Sequence, residues 1–245
     1  MKDSGVEWIG EIPSYFNQIK LKYISDIKYG LATALEEGET KGFKIISLYN
    51  VTKSGKLIFN KTGYVNMEKN EIKEYKLKKG DLLFNWRNGS SDHVGKTAYF
   101  DLDGYYIHVS FLLRLRFDLS KYNSLFYRYV LNNLKNLDYF GSSKTQVNKS
   151  FNQTELMNLT IVSPLNKFIE DRICKYLSKK LLDINNLIQK TKKSIDKYKE
   201  YKKSLIFEAV TGKIDLRDYE LEGGKKIAEH NNSREAERKE LSEVN

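Results

Sequence analysis

Two polar loops hold most of the side-chain chemistry this chain has to offer. The first, Trp86–Arg87–Asn88–Gly89–Ser90–Ser91–Asp92–His93, supplies an arginine and an asparagine, the residue types that bond guanine and adenine edges bidentately. It adds short hydroxyls and a glycine that permits close approach. The second, Gly141–Ser142–Ser143–Lys144–Thr145–Gln146–Val147–Asn148–Lys149–Ser150, repeats that vocabulary, with hydroxyls and lysines suited to phosphate oxygens and Gln and Asn suited to adenine. The candidate DNA contacts are therefore Arg87, Asn88, Ser90, Ser91 and the nearby Lys96, then Lys144, Thr145, Gln146, Asn148 and Lys149. The plain alternative for each loop is a hairpin of ordinary turn residues.

Other chemistry is thin. His93, His108 and His230 are scattered, without the spacing of metal ligands, and no glycine-rich phosphate loop occurs. The triplets Glu71–Lys73, Glu74–Lys76 and Glu200–Lys202 resemble pieces of nuclease sites. None follows a strand carrying a suitable Asp, and a chain this rich in Glu and Lys produces them by chance. Asp92–His93 beside Ser90 and Ser91 could be read as a nucleophilic site, but triads assemble in space rather than among loop neighbours. The expectation is a non-catalytic protein with no metal and no cofactor of its own.

The loops need a scaffold. Phe43–Leu48, Lys56–Asn60, Asp81–Phe84, Val94–Phe100 and Ser110–Arg116 read as strands from their aromatic and β-branched content. Ser120–Leu137 reads as a helix, and Leu159–Val162 as a closing strand. Val6, Trp8, Ile9 and Ile12 form an amphipathic opening before Pro13, while Pro164 marks a helix entry. The expected fold class is α+β: a mixed globular recognition domain over residues 1–165, a long coiled-coil α-helix over 166–212, and a polar tail over 213–245 expected to be disordered.

The helix carries a seam. Cys174, Leu177, Leu181, Ile184, Ile188, Thr191, Ile195, Tyr198, Lys202, Leu205 and Ala209 alternate three- and four-residue steps, the 3.5-residue period of a coiled coil. No second such segment exists in the chain, so the stripe calls for another copy or another subunit's helix. The expected dimer interface is Leu177, Leu181, Ile184, Ile188, Thr191, Ile195, Tyr198 and Leu205. Residues 190–212 carry net +4 and residues 167–189 net +2, which mildly favours an antiparallel pair centred on Thr191.

Composition sets outer bounds. A net charge of +10 favours an acidic partner such as nucleic acid, the alternative being a Lys-rich genome. The lone Cys174 excludes an internal disulfide and points to the cytoplasm. Lys2, Asp3 and Glu7 leave no room for a signal peptide in the first ten residues, and no apolar run approaches the roughly 20 residues of a membrane span.

Several of these segments together resemble the specificity (S) subunits of type I restriction–modification systems, in a half-length form with one recognition domain and one helical region. The resemblance spans roughly residues 2–219. It runs through Asp3–Pro13, Lys79–Gly80–Asp81–Leu82–Leu83–Phe84, Gly89–Ser90, Gly95–Lys96–Thr97–Ala98, Gly141–Ser142, Thr145–Gln146–Val147–Asn148 and Ser163–Pro164–Leu165, and ends most specifically with Leu205 and Ala209–Arg217. It implies a non-catalytic DNA-recognition subunit that joins S-adenosylmethionine-binding, adenine-methylating modification subunits and a translocating, cutting restriction subunit. Such a subunit usually carries two recognition domains spaced by two antiparallel helices. This chain departs by having one of each, so the resemblance implies a homodimer reading an interrupted palindrome. Helix entry also departs, with Asn166–Lys167–Phe168 where an acidic residue and Gln are usual. The rival expectation is a cassette that pairs or competes with a longer S subunit without reading DNA itself.

Overall fold

The computed structural model describes residues 1–5, 9–32, 42–59, 63–87, 93–142, 150–217 and 219. Val6 and Trp8 of the expected opening, and the tail beyond 219, lie outside them. The described residues divide into two units, Met1–Ser178 and Lys179 onward.

The first unit opens with short strands β1 (Lys2–Asp3) and β2 (Glu11–Ile12), paired antiparallel, then β3 (Phe16–Lys20) and β4 (Ser25–Tyr29). Next come β5 (Phe43–Ile46), β6 (Gly63–Val65), helix α1 (Lys69–Tyr75), β7 (Leu82–Asn85), β8 (Thr97–Tyr99), β9 (Tyr106–His108) and β10 (Leu112–Phe117). Helices α2 (Ser124–Asn136), α3 (Tyr139–Ser142) and α4 (Gln153–Asn158), strand β11 (Thr160–Pro164) and helix α5 (Lys167–Val210) complete the order. The central sheet runs β4-β10-β7-β8, a second runs β6-β5-β9 with β5 and β9 parallel, and β11 pairs with β3.

The pleat explains why β7 reads as an unbroken apolar run. Leu82 and Phe84 face one core with Leu113, Leu115 and Phe117, against which α2 sets Phe126, Tyr127, Leu131 and Leu134. Leu83 and Leu112 face a second core with Ile45, Ile46, Ala98, Phe100 and Ile107. A strand buried on both sides has no polar face to alternate with. The second face also carries the buried Arg114, paired with Asp26, and Arg116, which grips Asp81 through two bonds of 2.7 Å. Gly80, at φ +91°, makes the turn that brings Asp81 to this position, where it also accepts from the Lys78 amide at 2.7 Å.

His108 is buried at the end of β9, where desolvation, helped by Arg114, pushes its imidazole down to about 3. The folded chain thus keeps it neutral while the unfolded chain protonates it near 6.5. Its contribution to stability is full above the unfolded value and drains as pH falls toward the folded one, by up to about 1.4 kcal/mol per pH unit. Denaturant unfolding across that window should show this slope in the parent chain and a flatter one in His108→Leu.

Helix α5 starts where Asn166 Oδ1 accepts the Ile169 amide at 3.1 Å, two residues beyond Pro164. Its first turns belong to the first unit. Glu170 is buried and accepts from the Tyr127 hydroxyl at 2.6 Å and from the Asn123 amide at 2.5 Å, with Ser163 Oγ at 3.3 Å. Cys174 belongs to the same buried core as Ile161 and Leu156, and burial pushes its thiol up to about 12. The expected division at 165/166 coincides with this helix entry, yet the compact unit extends to Ser178 because of these contacts. Cys174 is therefore core rather than the open start of the seam.

In the second unit the helix continues to Val210 and ends at Gly212, whose φ of +72° lets the Lys213 amide turn back to the Glu208 carbonyl at 2.9 Å. Of the remaining seam side chains, Leu181, Ile184, Ile188, Ile195, Tyr198, Lys202 and Leu205 are exposed, while Leu177 and Ala209 are half-buried. Thr191, polar in the middle of the stripe, bonds its hydroxyl to the Leu187 carbonyl at 3.0 Å and presents no unpaired group.

Candidate nucleic-acid interface

Strand pairing gathers several chain segments at one rim of the first unit. In the central sheet Leu113 lies opposite Tyr29 and Leu112 opposite Asn85, while Thr97 lies opposite Phe84. The end of β4, the end of β7, the start of β8 and the start of β10 therefore share one edge. The parallel pair β5 and β9 points its carboxyl ends the same way, since Val109 donates to the Ile46 carbonyl at 3.0 Å and Ser110 to Leu31 at 2.8 Å.

Both expected reading loops are rooted here. Arg87 forms a β-bridge with Ser150, and the Phe151 amide donates to the Trp86 carbonyl at 2.7 Å. The root of the first loop is thereby tied by main chain to the end of the second. Trp86 is fixed further by its indole N–H to the Ser110 carbonyl at 2.7 Å and by an edge-on contact with Tyr29 at 5.4 Å between ring centroids. Phe140 and Phe151 pack on Phe84 beneath. Arg87 is exposed on this rim. Asn88, Ser90, Ser91, Lys144, Thr145, Gln146, Asn148 and Lys149 lie outside the described residues.

Lys96 is not on the open surface beside them. The strand lead-in turns it into the face occupied by Ala98, and it is 5% exposed, donating from Nζ to the Val51 carbonyl at 3.0 Å. Burial, with Lys135 and Lys53 as cationic neighbours, lowers its pKa. Gly95 sets this geometry: its φ is +87°, and a Cβ there would sit 2.2 Å from Phe140 Cδ2. Next to Lys96, Asn85 is buried, and among the described residues neither of its carboxamide atoms has a hydrogen-bond partner.

Three exposed residues of this rim carry no signal as separate sequence segments. Tyr49 follows β5 in a turn capped by Asn50 and Ser47 and is 87% exposed, Phe111 lies between β9 and β10 and is 46% exposed, and Lys53 is exposed nearby. Phe111 is embedded in an apolar run that reads as core, and only the pairing of β5 with β9 brings it beside Tyr49. Among the described residues no cluster of His, Cys, Asp and Glu could hold a metal ion, and no helix is long and apolar enough to cross a membrane.

No protein-family model matches the chain. Among curated proteins it is 32% identical over 202 residues to a putative type I restriction enzyme MjaX specificity subunit from Methanocaldococcus jannaschii, covering 81% of this chain and 46% of that protein. The chain thus spans about half the length of the curated relative it matches. Among solved structures it is similar to one from a study of complex assembly and conformational transition of the type I R-M system, with TM-score 0.66, 16% identity, and 83% of this chain against 48% of that one. It is also similar to the HsdS subunit from Thermoanaerobacter tengcongensis, with TM-score 0.53, 17% identity, and 75% of this chain against 42% of that one. At such identities these two likenesses speak for the fold alone. Through the curated relative, and in the motif order from Asp3 to Arg217, the chain is similar over most of its length to the specificity subunits of type I restriction enzymes.

Proposed function

We propose that this chain is a non-catalytic, cytoplasmic DNA-reading subunit that pairs with a second copy through α5 and presents an interrupted palindrome to adenine-methylating modification subunits and a restriction subunit. The observation that carries the reading is the main-chain tie between Trp86–Arg87 and Ser150–Phe151, which roots two base-reading loops side by side. The loops themselves supply Arg87, Asn88, Ser90 and Ser91, then Lys144, Thr145, Gln146, Asn148 and Lys149. Twofold pairing makes the two half-sites identical and inverted. At about 1.5 Å per residue the seam would hold them on the order of 50–60 Å apart.

Mapping methylated motifs in cells carrying the system tests this directly. A gapped palindrome is expected, and two unrelated half-sites would count against self-pairing. Arg87→Ala and Gln146→Ala should relax preference at individual positions, each by roughly 1–3 kcal/mol. Neutralising Lys190, Lys192, Lys193 and Lys197 should instead weaken binding to every sequence alike. The salt slope should then fall by up to about 0.9 for each phosphate left without its lysine. Binding titrations at several salt concentrations separate the two behaviours. A changed motif on removing the helix lysines would contradict the division of labour.

The match to about half of the curated relative also fits a second arrangement, in which this chain pairs through the same stripe with a longer specificity subunit. Co-purification from cells expressing both would show a mixed dimer in place of the self-paired one.

A further inference from the structure

Where the ends of β5, β8 and β9 meet, a cavity of about 700 Å³ opens beside the loop roots, within the usual size of ligand sites. Tyr49 and Phe111 contribute exposed rings to its lining, Ser47 and Ser110 contribute hydroxyls, and Lys53 and Lys96 contribute cations. Lys96 is the informative group. An ammonium carries three donors, and among the described residues this one spends only one of them, on the Val51 carbonyl. No carboxylate of the described residues pairs with it, and its charged neighbours are Lys135 and Lys53. A largely desolvated cation in that position favours a ligand bringing acceptors.

We propose that this cavity receives a guanine base, with Lys96 donating to O6 and N7, Tyr49 and Phe111 offering ring faces, and Lys53 meeting the attached phosphate. Guanine presents two neighbouring acceptors on the edge left free by base pairing. Adenine sets an amino donor beside N7, thymine offers one acceptor and a methyl group, and cytosine offers a donor on that edge. The remainder of the lining, Leu48, Val51 and Val109 with the His93 ring, is mostly apolar and suits the faces of a base better than a bare phosphate. The base can come from DNA, swung out of its stack, or from a free nucleotide with the same ring. The first source rests on the DNA-reading function proposed above, and the second does not.

The test uses the full chain in two arms. In the first, calorimetric titration with GMP, AMP, CMP and TMP should show GMP binding at least about tenfold more tightly than the others. Lys96→Met should erase that preference, and Tyr49→Ala, at a highly exposed position, should weaken GMP binding about tenfold without moving the melting temperature. In the second arm, a duplex bearing the methylated motif with one guanine facing an abasic site should bind more tightly than the intact duplex, and Lys96→Met should remove the gain. A Lys96-dependent gain in either arm supports the guanine site and identifies its source. Equal binding of all four nucleotides together with no Lys96-dependent gain in the duplex arm overturns it, whatever the methylation map says about DNA reading. Should Lys96→Met fold poorly, Tyr49→Ala and Phe111→Ala decide between the same outcomes, since an unused cavity would leave both variants unchanged.

Discussion

Ile184→Asp combined with Ile188→Asp should turn a self-associating chain into a monomer, weakening the dimer by at least about a thousandfold. Both side chains lie in the stripe of α5 and are 50% and 45% exposed in the single chain. Fully burying an isoleucine is worth about 1.5–3 kcal/mol, so covering the exposed half yields roughly 1 kcal/mol each. Twofold symmetry doubles the two positions to four, or about 4 kcal/mol, which corresponds to roughly three decades in affinity. Placing four carboxylates in the seam adds repulsion and desolvation. Because the altered positions are exposed within one chain, the fold of the first unit should lose little, within about 0.5 kcal/mol. Sedimentation at several concentrations would show the shift in mass. A dimer that survives both aspartates would mean that the stripe is not where two copies meet.

Glu170→Ala should be the most damaging single change to the first unit, costing about 3–5 kcal/mol in denaturant unfolding. The carboxylate is buried and bonds three groups from separate elements: the amide of Asn123 ahead of α2, the hydroxyl of Tyr127 within α2, and the hydroxyl of Ser163 in β11. Hydrogen bonds to a charged group contribute about 1.5–3 kcal/mol, and donors left buried without a partner cost about 1–3 kcal/mol more. The position next to the start of α2 favours a negative charge there. Burial and the Glu170 carboxylate together push the Tyr127 hydroxyl well above its usual range, so it stays protonated as a donor. Tyr127→Phe should cost far less, about 1 kcal/mol, since Glu170 keeps its other partners. Equal losses in the two variants would show that the Tyr127 hydroxyl bond alone, rather than the three-partner carboxylate, holds the start of α5 in place.

How much of this was legible in the residues depended on how much apolar surface each element buries. The helix now bounded as Ser124–Asn136 and the runs around Leu82–Asn85 and Leu112–Phe117 announced themselves because each buries apolar side chains, while the seam did so through its regular apolar row, which stays exposed in the single chain. Strands β3 and β4 went unseen. Phe16–Lys20 has two apolar residues and Ser25–Tyr29 buries a single isoleucine, since both strands sit at sheet edges with charged neighbours. The short parallel strand Tyr106–His108 depends on pairing with a segment some sixty residues earlier, which no local pattern encodes. The expected strand Lys56–Asn60 is not one over its described residues: only Leu57 bridges, to Val51, while the Asn50 side chain takes the Ile58 carbonyl at 2.8 Å. Helix α1, seven residues with two glutamates and two lysines, is not among the expected elements.

At the candidate interface, loop chemistry was visible and depth was not. Arg87 could be named from its neighbours, and it does stand exposed on the rim. Lys96 looked like one more surface cation, because a charged residue alternating with Ala98 mimics the outer face of a strand. Only the register of β7 against β8 reveals that this face looks inward.

The ties at Arg87–Ser150 and Trp86–Phe151 are made wholly by peptide groups. A peptide group is indifferent to which side chain it carries, proline apart, so the ties themselves hold whatever side chains stand at Arg87 and Ser150. Under the DNA-reading function proposed above, a lineage would then change its recognition word by rewriting side chains between these ties, leaving the peptide frame in place.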